Sequence, residues 1–149
     1  MPDWNSKELV KIKQFVVRYT QAMNDKKVDR FKQVFHKNAI MHRAMENFQG
    51  LPAIIKWHAK AWDSQGFRHA AFALKDASTG IFPDGSAKCI LWYEITVPKG
   101  SSKGTAHPKI KSIHIESLDL KLCGNKWKVT RCFGMGYDPN FHAKYFKDT

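Results

Sequence analysis

The chain has 149 residues, 43% hydrophobic and 13% aromatic, which suits one globular domain able to bury a full core without disulfide staples. No apolar run approaches the ~20 residues that span a bilayer, and the opening Met-Pro-Asp-Trp-Asn-Ser lacks the basic-then-apolar pattern of a secretory signal. Membrane and secreted classes are therefore disfavoured and a cytoplasmic protein is expected, although the net charge of +12 leaves a polyanion partner to be considered.

The first helix is expected to start at Asn5, with Glu8 three residues on as a variant of the capping box. Leu9, Ile12, Val16, Tyr19 and Met23 recur at helical spacing, and Val10 and Phe15 widen the stripe. Asn24-Asp25 ends it. A short second helix carries Val28, Phe31, Val34 and Phe35. Residues 38–43 predict a short strand and residues 46–50 a loop. Pro52 suits the first turn of a third helix, where its missing N–H costs nothing. That helix presents Leu51, Ile54, Ile55, Trp57, His58 and Trp62, and Gly66 ends it.

Beyond Phe67 the period changes to two. Residues 68–78 and 86–97 predict strands around Phe82-Pro83-Asp84-Gly85, in which Asp-Gly is a hairpin signal. Residues 99–108 form a polar loop, and 110–123 with 126–133 a second hairpin around Gly124-Asn125. The segment after Tyr137-Asp138-Pro139 is a short helix or loose chain. The order is that of an α+β fold, a curved antiparallel sheet wrapped around N-terminal helices as a cone with a cavity open at one end.

Strand alternation nominates the cavity's side chains. In 112–122, His114, Glu116, Leu118, Leu120 and Leu122 share one face, and the leucines mark it as the core face. In 86–97 the inner set is Cys89, Leu91, Tyr93 and Ile95. On the last strand Trp127, Val129, Arg131 and Phe133 share a face, so Arg131 and Phe133 are expected inside. Arg43 and Met41 face the cavity if the first strand is regular; a one-residue bulge would turn Arg43 outward and His42 inward.

A histidine beside a carboxylate is a workable general-base pair. The candidate catalytic residues are Tyr19, His114 and Glu116. The candidate substrate-binding residues are Met41, Arg43, Trp57, His58, Trp62, Tyr93, Leu118, Arg131 and Phe133, with Arg43 or Arg131 holding an anionic group. The bland alternatives are a buried Glu116–Arg131 ion pair and Trp57, His58 and Trp62 as plain core. No metal-ligand spacing, Gly-rich nucleotide loop or nucleophile elbow occurs, so no metal and no cofactor are expected. Cys89, Cys123 and Cys132 lack C-x-x-C spacing and are read as reduced, mostly buried thiols. Lysines are spread along the chain without a basic tail or Arg-rich helix, which disfavours nucleic acid. The expected ligand is a small apolar or anionic organic molecule. The outward set Ile90, Trp92, Ile113 and Ile115 is too apolar for a solvated sheet and is expected to form a homodimer interface.

The run Val17-Arg18-Tyr19-Thr20-Gln21-Ala22-Met23-Asn24, then Asp29, Phe35, Ala39, Gly50 and the Gly-Asn-Lys-Trp-Lys-Val of residues 124–129, resembles the nuclear transport factor 2-like superfamily, over about residues 8–137. This superfamily includes SnoaL-like polyketide cyclases, ketosteroid isomerase and scytalone dehydratase. The resemblance implies a cofactor-independent isomerase, cyclase or dehydratase, or a ligand-binding or interaction module, since one fold hosts many functions. Tyr19 matches the tyrosine that in ketosteroid isomerase donates to an oxyanion. The positions of that enzyme's base and second acid are taken by Arg43 and Leu118, which can do neither job.

Overall fold

The computed structural model describes residues 4–43, 46–63, 69–98 and 109–134. The helices are α1 (Trp4–Asp25), α2 (Val28–Val34) and α3 (Leu51–Asp63). The strands are β1 (Phe35–Arg43), β2 (Glu46–Gln49), β3 (Ala71–Ile81), β4 (Ala87–Pro98), β5 (Lys109–Cys123) and β6 (Lys126–Gly134). They form one curved, open sheet in the order β2-β1-β6-β5-β4-β3. Every junction is antiparallel except β1–β6, which is parallel, so the expected antiparallel sheet is mixed at one place. No helix among the described residues is long and apolar enough to cross a membrane.

The helices cover the concave side. From α1, Ile12, Phe15, Val16, Tyr19, Ala22 and Met23 are buried. Val10 does not widen this stripe: it lies two turns before Val17 on the same flank, and both are exposed. The helix takes in Trp4 and Asn5, so Asn5 sits inside its first turn rather than capping it. Glu8 instead pairs with Lys11 at 3.3 Å and accepts the indole N–H of Trp127 at 3.1 Å. At the other end Asn24 clamps the start of the sheet, its amide donating to the Phe72 carbonyl and its oxygen accepting the Phe72 N–H.

Residues 46–49, expected as loop, are strand β2, paired with β1 from Ile40↔Gln49 to Arg43↔Glu46. Only Phe48 of the four packs on the core, so an edge strand this polar carries no alternation to read. The 82–85 turn closes as its Asp-Gly signal predicts, with Gly85 at φ 86° and Phe82 N–H donating to the Ser86 carbonyl at 2.8 Å. Gly66, the loop 99–108 and the segment after Tyr137 lie outside the described residues.

The inner faces of β4 and β5 are as the alternation predicts. Cys89, Leu91, Tyr93 and Ile95 are buried, as are His114, Glu116, Leu118 and Leu120. Leu122, beside the hairpin tip, is exposed, because solvent replaces the next rank of side chains there. The last strand departs from expectation. Its register slips between Leu120↔Val129 and Asp119↔Arg131, leaving Thr130 as an extra residue. This β-bulge reverses the alternation. Trp127 and Val129 are buried before it and Cys132 and Gly134 after it, while Arg131 and Phe133 are exposed. Neither Arg131 nor Phe133 can line an inner cavity.

Candidate functional site

Four polar side chains meet on the inner face. Tyr19 comes from α1, Arg43 from the end of β1, and His114 and Glu116 from β5; each is at most 5% exposed. Glu116 is the hub. Its Oε1 accepts the Tyr19 hydroxyl at 2.8 Å and the Arg43 Nη2–H, and its Oε2 accepts His114 Nε2–H at 2.5 Å. Glu116 therefore pairs with Arg43, not with Arg131.

The electrostatics follow from burial and this pairing. Burial pushes the Glu116 carboxyl up, but the Arg43 charge and the bonds from His114 and Tyr19 outweigh it and hold the group well below the usual carboxylate range. Burial pulls Arg43 down, and Glu116 more than restores it, so it stays charged. Burial, then the Glu116 charge, raises the Tyr19 phenol well above its ordinary value. Tyr19 is thus a neutral donor whose hydrogen is committed to Glu116.

Because an ionised carboxylate can only accept, His114 Nε2 carries its hydrogen toward Glu116. The approach of Arg43 Nη1 to the same nitrogen, 3.5 Å, is then a contact between two donors rather than a hydrogen bond. Two atoms of this cluster remain buried without a partner: His114 Nδ1 and Arg43 Nε.

The neighbouring candidates divide. Arg43 Cζ lies 5.4 Å from the centre of the half-buried Trp57 ring, in cation–π range. Trp57 leads to His58 at 4.9 Å, and His58 packs edge-on against Phe31 and lies near Trp62. His58 donates Nδ1–H to the Ile54 carbonyl, and burial, then the Arg43 charge, takes its pKa down to about 3. It is a neutral histidine of the core. Tyr93 bonds the Thr20 hydroxyl at 2.8 Å and meets Phe72, whose ring also faces His114. Met41 and Leu118 are fully buried, each in register with Cys132 of β6.

Two residues of the site escaped the sequence reading. Gly134 sits opposite Glu116, and a Cβ there would come within 2.5 Å of Glu116 Oε2 and collide with the Arg43 guanidinium. Glycine in a strand away from any turn is a sign of such close approach. Cys132 is buried beside the cluster; burial, then the Glu116 charge, raises its thiol and keeps it protonated. On the opposite face of the sheet, His42, Lys88, Ser117, Asp119, Arg131 and Phe133 line an open cleft of about 430 Å³. Among the described residues no group of three or more His, Cys, Asp or Glu side chains could hold a metal ion.

Helices packed into a curved six-stranded sheet, with a polar cluster on its inner face, define the nuclear transport factor 2-like class. The chain belongs to the SnoaL-like domain family, whose pattern matches residues 5–108. That span holds Tyr19 and Arg43 and stops short of His114 and Glu116. A candidate dehydratase of the NTF2-like family from Streptomyces avermitilis is similar at TM-score 0.73 and 10% identity, over 89% of this chain and 97% of that one. An NTF2-like superfamily protein from Salmonella enterica serovar Typhimurium matches at 0.71 and 11%, over 92% and 94%. A cystatin-like-fold protein from Caulobacter vibrioides matches at 0.70 and 13%, over 92% and 94%. These likenesses establish the fold. No curated protein matches the sequence.

Proposed function

We propose that this chain is a SnoaL-like small-molecule enzyme of the cofactor-independent isomerase, cyclase or dehydratase kind, in which His114 moves the proton. One observation carries this reading: Glu116 takes the Nε2 hydrogen of His114, which leaves Nδ1, buried and unpartnered, as the ring nitrogen open to a substrate proton. A carboxylate that orients an imidazole and stabilises its protonated form is a general-base arrangement. Glu116 is itself too well paired to act as the base, and its role is positioning. Tyr19 fixes Glu116 from the other side. Arg43, not Arg131, offers its unpartnered Nε–H to an oxygen that gains electron density.

The test is hydrogen–deuterium exchange at carbon next to a carbonyl, followed by NMR for a set of enolisable aryl ketones in heavy water. Exchange above the buffer rate is expected for the wild type and a loss of at least a hundredfold for His114→Gln. Equal rates in both proteins, or no exchange by the wild type, would remove the proton-transfer role.

The runner-up reading, a dimeric binding or interaction module, is favoured by the outer sheet face. Trp92 is 41% exposed, Phe133 59% and Ile113 69%. We propose that this face pairs two copies of the chain, which is compatible with either reading.

A further inference from the structure

We propose that the ligand of this site is uncharged and carries a hydroxyl next to an acceptor oxygen, the hydroxyl hydrogen meeting His114 Nδ1 and the acceptor meeting Arg43 Nε–H. The inference rests on the reading of this cluster as the ligand site. It narrows the expected apolar or anionic ligand to one class.

Charge narrows the ligand first. With His114 neutral, as the proton-transfer reading requires, the charges in the cluster among the described residues are Arg43 and Glu116, and they neutralise each other across a direct contact. Tyr19 is a neutral phenol and His58, one ring beyond Trp57, is neutral as well. A ligand carboxylate would have to compete with Glu116 for the guanidinium and leave one of two buried anions uncompensated. A ligand ammonium would place a second cation beside Arg43. The basic surface of the chain can gather anions from solution, but the inner site has no spare positive charge to hold one.

Hydrogen bonding narrows it further. Nine in ten or more buried polar groups have a partner, yet two on touching side chains here have none. They are of opposite kind. Arg43 Nε can only donate, and His114 Nδ1, in the neutral form that the proton-transfer reading requires, can only accept. A molecule that satisfies both must bring one acceptor and one donor, and a hydroxyketone is the simplest uncharged compound that does so. The Trp57 ring over Arg43 and the Phe72 ring beside His114 supply flat apolar surface for the rest of it.

Three matched probes test this: 2-hydroxy-1-phenylethanone, its methyl ether, and mandelate, which is the anion of similar size. Affinity is read by calorimetry, and the His114 ring nitrogens by NMR on protein with 15N-labelled histidine. The hydroxyketone is expected to bind at least tenfold more tightly than either relative and to shift the Nδ1 signal of His114. Arg43→Lys, which keeps the charge and loses Nε–H, is expected to weaken it tenfold, with folding checked by near-ultraviolet circular dichroism. Mandelate binding as tightly, the methyl ether binding as tightly, or no probe moving the His114 signals would each overturn the proposal. Selective hydroxyketone binding without His114-dependent exchange supports the ligand class and removes the acid–base reading. His114-dependent exchange with mandelate preferred does the reverse.

Discussion

Replacing Glu116 by glutamine keeps the shape of the side chain and removes its charge, which leaves the Arg43 guanidinium buried without a counter-ion. Breaking a buried pair from one side costs about 3–5 kcal/mol, and urea unfolding of Glu116→Gln should show a loss of that order. The double change Arg43→Met with Glu116→Leu removes both charges and should unfold much closer to wild type. A double variant as unstable as the single one would mean that the pair holds the fold together rather than tolerating burial.

Acid should act on this protein in two windows. The unfolded-state histidine titrates near pH 6.5, whereas His58 in the fold titrates at about 3. Below pH ~6.5 the unfolded chain takes the proton and the folded one does not, so stability falls with pH by roughly 1–2 kcal/mol per unit. Glu116 adds a second loss only below the unfolded carboxylate value near pH ~4.3, because its folded value lies lower still. His58→Leu should flatten the first limb of a stability-against-pH curve and leave the second. A first limb unchanged in His58→Leu would contradict the neutral buried assignment.

At the scale of elements, the bulge at Thr130 decides what β6 contributes. Deleting Thr130 removes the extra residue, and strict alternation then keeps Trp127, Val129, Cys132 and Gly134 inside and Arg131 and Phe133 outside. The deletion should keep a native-like 1H–15N spectrum with shifts confined to β6 and its neighbours β1 and β5; collapse of amide dispersion would show that the fold needs the extra residue itself. Gly134→Ala is a gentler test of the same strand. Overpacking typically costs about 1–3 kcal/mol, and here the added methyl pushes directly on Arg43 and Glu116. The variant should lose deuterium exchange activity by more than its small stability loss explains.

These elements also show what was legible beforehand. α1, α3 and the inner sets of β4 and β5 follow from period and alternation, and Tyr19, Arg43, His114 and Glu116 came to one face as those patterns imply. Residues 126–133 break their alternation at Thr130-Arg131, two polar residues in succession, and a regular strand read through that break puts Arg131 inside. The slip is set by pairing with Asp119 and Leu120, which is a property of two strands together. β2 is silent for a different reason: an edge strand with one packed residue need not alternate.

For the whole molecule, the outward turn of Phe133 enlarges the apolar outer face already formed by Ile90, Trp92 and Ile113. This exposed apolar surface is what the proposed pairing of two copies would cover. Sedimentation at micromolar concentration should give a dimer, and Trp92→Lys should shift it to monomer without changing the inner site. A wild-type monomer would refute the interface. The parallel seam between β1 and β6 has a temporal meaning too. Tyr19 lies 97 residues before Glu116, and Arg43 lies 73 before it. During synthesis, Tyr19 and Arg43 leave the ribosome long before the final hairpin exists. Contacts so far apart in the chain close late in folding, so an intact cluster is a report that the last strand has docked.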